Sequence, residues 1–174
     1  MKRLFFLLTA ATAITFSACT KDKDDVNTLN DTDKSFMTQA AYSNNAEVAA
    51  GALAASKSGN TEISNFGQMM VTDHTEAQTE LSSLATSVSV TLPDGMDDAH
   101  IALINDLTIN TGVEFDTLYI SSQIKDHQDA ITLFQNEINN GSNTRVKAYA
   151  QKYLPKLQAH LQSAIDAKTS ILIP

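Results

Sequence analysis

Three of the four histidines in this 174-residue chain lie on apolar stripes that repeat at steps of three and four, the spacing of one face of an α-helix. His74 falls within Phe66, Met70, His74, Ala77, Leu81, Leu84, Val88. His127 falls within Ile120, Ile124, His127, Ile131, Phe134, Ile138, and His160 within Tyr153, Leu157, His160, Ala164. A fourth stripe, Phe36, Ala40, Ser43, Glu47, Ala50, Ala54, carries one acid in the same inward place. All four polar residues sit near the midpoints of their helices. In a bundle they therefore share one depth whichever way the helices run, with Glu47 and His74 the expected closest pair. One carboxylate and three imidazoles at one level form a donor set for Zn, Fe, Mn or Cu, and bundle interiors are where such sites are built. An ionised carboxylate is not buried alone, so Glu47 needs a metal or a protonated histidine beside it. Asp73 and Asp126 each precede a histidine and point about 100° away from it on a helix. They are candidates to accept a hydrogen bond from a ligand histidine on a neighbouring helix, or are simply solvated. Without a metal the same residues make a hydrogen-bonded polar layer that sets helix register. His100 lies outside the set and is expected to face solvent.

The elements that must position these residues are helical. Trp is absent, aromatics are 6% of residues, and Ala, Leu, Ile, Ser and Gln abound. The periodicity predicts long helices over 34–57, 61–88, 113–139 and 144–170, with a short one over 97–109. Asp31 to Asp33 offer caps for the first helix and Gly59 a stop, while Asn60 caps the second. Pro155 lies inside the last helix, where it removes one backbone bond and is expected to bend it.

The two halves look alike. Phe36 opens the first helix as Phe115 opens the third, and Ser58 to Phe66 matches Gly141 to Tyr149 across the turn that follows each. The chain thus reads as two helical hairpins joined by a crossover of about two dozen residues, long enough to traverse a bundle of about 40 Å. That is an all-α, ferritin-like four-helix arrangement; a plain up-down-up-down bundle is the alternative. Gly51 and Gly67 stand at equal distance on either side of Gly59. In an antiparallel hairpin they share a level, which predicts a close approach of the first two helices there.

The N-terminus carries an address. Lys2 and Arg3 precede an apolar run from Leu4 to Ile14, too short to span a bilayer, and Phe16-Ser17-Ala18 leads into Cys19, the only cysteine. The order resembles a bacterial lipoprotein signal, with Phe16 where Leu is commonest. It implies residues 1–18 as signal peptide, Cys19 as the lipidated first residue, 19–33 as a polar tether, and 34–172 as the folded domain. The expectation is export and attachment to a membrane, the outer membrane in particular, through that lipid. A rival cleavage after Ala11-Thr12-Ala13 has the small-x-small form. Without Lys2 and Arg3 ten basic residues face 20 acidic ones, a balance of −10. Such a domain repels phosphate backbones, which argues against nucleic acid as a partner. With no second cysteine, disulfides and thiol chemistry are excluded from the domain.

Ala46-Glu47-Val48, Met70-Val71-Thr72-Asp73-His74, Lys125-Asp126-His127-Gln128 and Leu154-Pro155-Lys156-Leu157-Gln158-Ala159-His160-Leu161 together resemble the envelope proteins of the domain-of-unknown-function 4142 family. The likeness covers about residues 35–165. It implies a ferritin-like helical fold and an exported, often membrane-attached location, and brings no established activity. Glu47, His74, Asp126, His127 and His160 match that family's characteristic polar residues.

Di-iron ferritins carry Glu-x-x-His on two helices. Here the residues three before His74, His127 and His160 are Val71, Ile124 and Leu157. Ferroxidase chemistry is therefore unsupported, and no Gly-rich phosphate loop, Gly-x-Ser-x-Gly or cysteine nucleophile marks another enzyme class. The sequence leaves a lipid-anchored envelope domain, with a metal-binding or redox role for the Glu/His cluster as one alternative. A structural or adhesive surface module acting through its acidic face is the other.

Overall fold

The computed structural model describes residues 28–172, five helices and no strand among them. Cys19 and the signal and tether readings up to residue 27 lie outside the described residues. The helices are α1 (Asp31–Lys57), α2 (Thr61–Ser87), α3 (Asp98–Ile109), α4 (Gly112–Asn140) and α5 (Thr144–Leu172). Helix α1 starts three residues earlier than its apolar pattern suggests, because Asn30 rather than an aspartate caps it. The Asn30 side chain accepts from Asp33 N–H at 2.9 Å, and the Asp33 carboxylate accepts from Asn30 N–H at 2.7 Å. Ser58, not Gly59, is the C-cap. The expected internal likeness is visible in the caps. Asn60 accepts from the backbone N–H groups of Glu62 and Ile63, and Asn143 accepts from those of Arg145 and Val146.

The hairpins α1–α2 and α4–α5 pack side by side, with α1 against α4 and α2 against α5. Contacts at both ends fix the directions. At one end, here the base, Asn30 Nδ2 donates to Asn140 O at 2.9 Å, and Arg145 Nη1 reaches Ser87 Oγ at 3.1 Å. At the other end, the tip, the Lys57 ammonium donates to the carbonyls of Leu107 and Thr108, both at 2.7 Å. It also lies 4.9 Å from the Phe115 ring centroid. So α1 runs antiparallel to α4, and the crossover carries the chain from base to tip, with α3 lying on α1. This is the long-crossover topology; the up-down-up-down alternative does not apply.

The crossover begins with a tight stop. Val90 N–H bonds Ala85 O and Ser89 N–H bonds Thr86 O, with Ser89 left-handed at φ 59°. These are the two bonds of a Schellman ending, built on serine where glycine is usual. Gly112, at φ +58°, turns the chain into α4. Helix α5 continues unbroken through Pro155.

The close approach expected at the glycines is present. A Cβ on Gly51 would meet Gly67 O at 2.7 Å, and one on Gly67 would meet Gly51 O at 2.6 Å and Ala54 Cβ at 2.8 Å. Backbone touches backbone, and no side chain larger than hydrogen fits.

The core divides into two apolar clusters. The base cluster gathers Phe36, Leu81, Phe134, Tyr149 and Tyr153; the tip cluster gathers Ile63, Phe66, Phe115, Tyr119 and Ile120. Buried polar residues from all four long helices, Asn44, Glu47, His74, Gln123, His127 and His160, belong to neither cluster. They form the layer between.

Candidate metal centre

Four helices bring Glu47, His74, His127 and His160 inside the bundle, each no more than 4% exposed. The three imidazoles meet. Their ring centroids are 5.4 to 5.8 Å apart, and one nitrogen from each lies within 4.8 Å of the other two.

Each ring is held from behind by an acceptor. His127 Nδ1 is 2.9 Å from the Gln123 carbonyl one turn earlier in α4. His160 Nε2 is 2.8 Å from Asp73 Oδ2 on α2. The other oxygen of Asp73 accepts from Lys156 at 2.9 Å. His74 Nδ1 is 3.0 Å from Asn44 Oδ1 on α1. The Asn44 amide is itself oriented: its Nδ2 donates to Gln78 Oε1 at 3.2 Å and to Tyr149 OH at 3.5 Å, while Tyr149 donates its own proton to Ala77 O. A carbonyl, a carboxylate and an amide oxygen accept and do not donate. Each outer nitrogen must therefore carry the N–H.

The protonation state completes the argument. Burial pushes the pKa of all three histidines down: His74 well below its usual value, helped by the neighbouring rings, and His160 to about 4 despite the opposing effect of its hydrogen bond to Asp73. The rings are neutral at pH 7, and His74 Nε2, His127 Nε2 and His160 Nδ1 present lone pairs to one another. His74 Nε2 has no hydrogen-bond partner, and the contact of His127 Nε2 with His160 Nδ1 at 3.4 Å sets lone pair against lone pair. Three converging acceptors without a donor are a cation site in form. An ion at the centre of nitrogens at most 4.8 Å apart lies at most about 2.8 Å from each. Drawing the rings inward by about 0.7 Å reaches the 2.0–2.1 Å of a metal–imidazole bond.

Glu47 does not share this centre. Its Oε1 lies 3.7 Å from His127 Nδ1, the nitrogen on the far side of that ring. The expected Glu47–His74 pairing is replaced by Asn44–His74. Three residues are 300° of helix, so Asn44 faces α2 while Glu47 turns toward α4. Burial raises the Glu47 carboxyl to about 8 against the opposing hydrogen bond from Gln123, so it is neutral at pH 7. Glu47 Oε2, Gln123 Oε1 and Tyr119 OH have no hydrogen-bond partner. A single carboxylate standing behind an imidazole does not fit a di-iron centre.

The two aspartates part company. Asp73 holds His160. Asp126 holds none of the three rings by a hydrogen bond: it lines a cleft of about 500 Å³ under α3 with His100, and the Lys125 ammonium lies 3.8 Å from it. His100 is not solvent-facing as expected, because its ring is 21% exposed and bonded to Asp97 at 2.7 Å. The sequence reading missed Asn44, Gln123 and Tyr149. Asn44 follows Met37 and Ala41 at helical steps, and a stripe one residue wider finds it.

A family model described as a domain of unknown function, DUF4142, matches residues 19–167. No curated protein matches the chain. Among solved structures, the crystal structure of a DUF305 fragment from Deinococcus radiodurans is similar, with a TM-score of 0.73 over 82% of this chain and 98% of that one. At 9% identity the likeness concerns the fold alone.

Proposed function

The chain belongs to the DUF4142 family, and from that premise we propose that it is a lipid-anchored envelope protein whose helical domain holds one transition-metal ion on His74, His127 and His160. The observation that carries the metal reading is the convergence of three lone pairs whose opposite nitrogens are all locked as donors. Outer partners of this kind, a carboxylate, a carbonyl and an amide oxygen, are what fixes ligand imidazoles in metal sites. A donor set of three neutral imidazoles suits Zn, Cu, Fe or Ni and disfavours hard cations such as Mg and Ca. The anchor rests on the signal ending at Cys19; no helix among the described residues is long and apolar enough to cross a membrane.

The test is metal content. The full chain, equilibrated with Zn(II), Co(II) or Cu(I) and desalted, is expected to retain one ion. His74→Ala, His127→Ala and His160→Ala are each expected to lose it. No retained ion under any of these conditions removes the reading. It leaves a polar layer in which the outer contacts of the three imidazoles set helix register.

A further inference from the structure

We propose that the metal keeps its fourth coordination position for an exogenous ligand of one or two heavy atoms, water at rest, admitted through an apolar cavity between α2 and α5. The inference rests on the three-histidine reading above.

Three protein ligands leave a tetrahedral ion one position short, the arrangement of sites that bind a further molecule rather than of closed structural sites. No protein group fills the gap. Among the described residues the cluster of metal-competent side chains contains only the three histidines. The two nearest carboxylates are turned away: Asp73 is bonded to the outer nitrogen of His160, and Glu47 lies beside the outer nitrogen of His127. Asn44 is likewise committed to the outer nitrogen of His74.

A cavity of about 10 Å³ open to a water-sized sphere abuts two of the three rings, His74 and His160. Ala77, Phe134, Tyr153 and Leu157 supply its apolar walls, and Asn44 and Asp73, the outer partners of those two rings, line it as well. That is room for about one water molecule. A carboxylate ligand or a phosphate is too large, and its charge would be desolvated against aromatic and aliphatic walls. Ala77 stands one turn after His74 on the same stripe, so the space beside that ring exists because the residue there is a methyl group. The Asp73–Lys156 pair also lines the cavity and is partly exposed, which places the mouth at the α2–α5 seam. The chemistry selected is a compact donor with little charge, such as water or a diatomic molecule.

Carbon monoxide on the Cu(I)-loaded full chain tests this, since Cu(I) accepts imidazole ligands and binds CO at a vacant position. The expected result is one CO per copper, with an infrared C–O band that shifts with ¹³CO. Imidazole, five heavy atoms, is expected not to displace it at equal concentration. Ala77→Leu is expected to keep the copper and weaken CO binding at least tenfold; Ala77→Val serves if the leucine variant does not fold. Copper retained without CO uptake overturns the inference and leaves the metal site standing. Free access of imidazole, or unchanged CO affinity in the cavity-filling variant, overturns it too. A chain that retains no Cu(I) overturns it as well, and when Zn and Co also fail the metal reading falls with it.

Discussion

At the level of single residues, the outer contacts decide what the three rings can do. Asn44 illustrates this: its amide is oriented by Gln78 and Tyr149, and its oxygen then leaves His74 Nε2 free to face the centre. Asn44→Ala keeps all three ligands and removes only that orientation. We expect it to weaken metal affinity about 10- to 100-fold with the stoichiometry of one preserved, measured by competition against a chromophoric chelator. Glu47→Gln is expected to do the opposite of what a ligand substitution does. The carboxyl is already neutral at pH 7, so the amide replaces it at equal size and the retained metal stays at one per chain. Loss of the ion in Glu47→Gln would return Glu47 to the ligand set. The histidines were legible in the sequence because a polar residue interrupting an apolar stripe is conspicuous. For His74 and His160, which nitrogen faces inward was not, because it depends on partners 30 and 87 residues away in the chain, Asn44 and Asp73.

Helices are where sequence and structure agree most, since capping and period are local. Asn60 as a cap, the stop near Gly59 and the Gly51–Gly67 approach all follow from short-range patterns. The start of α1 did not, because Asn30 precedes any apolar period. The glycine pair yields a prediction with opposing terms. In a free helix Gly→Ala gains about 1 kcal/mol. Here the added Cβ of Gly67→Ala meets Gly51 O at 2.6 Å and Ala55 N at 2.9 Å, backbone atoms that move only if the helices part. Separation opens space beside Met70 and Ala54 in the tip cluster, and overpacking of this kind costs about 1–3 kcal/mol. Gly67→Ala is therefore expected to be destabilising in urea despite its better helix propensity. Ser89→Gly is expected to be stabilising by about 1 kcal/mol, since it relieves a left-handed serine without touching the Schellman bonds. Opposite signs for two substitutions that exchange the same kind of freedom separate packing from propensity.

Over the whole molecule, the hairpin-crossover-hairpin plan was legible from the internal likeness and the crossover length. The docking of the base was not, because it is made by residues about 110 apart in sequence. The Asp33 carboxylate receives Ser142 N–H at 3.1 Å and Asn143 N–H at 3.0 Å, and so ties the start of α1 to the α4–α5 turn. This is the end of the bundle nearest the tether. If Cys19 carries the lipid, Cys19→Ser is expected to move the protein out of the membrane fraction or leave its signal uncleaved. An unmodified chain beginning at Ile14 in intact mass spectrometry contradicts that. Beside Asp33 lies Glu137, fully buried, with both oxygens unpartnered as a carboxylate. Two ionised carboxylates do not bond each other, whereas a neutral Glu137 has Asp33 to donate to. Burial first, and Asp33 second, raise Glu137 to about 8, with Lys147 opposing, while the N–H bonds hold Asp33 below its usual value. The signs follow. Glu137 ionises more readily unfolded than folded, so its stabilisation is complete below its usual carboxyl range and is lost as pH rises toward about 8. The Asp33 contribution is present above the usual aspartate range and is lost on acidification through its lowered pKa. The three buried histidines, which charge on unfolding and pull the other way, cancel in the difference between the Glu47→Gln variant and the Glu47→Gln/Glu137→Gln double variant. In that difference the Glu137 contribution to unfolding free energy is expected to fall between about pH 5 and 8 by at most about 1.4 kcal/mol per pH unit. Glu137→Gln, which keeps a donor toward Asp33 and cannot ionise, is expected to flatten that limb and leave the loss at acid pH in place. An unchanged slope in Glu137→Gln would mean that Glu137 is already ionised in the folded protein.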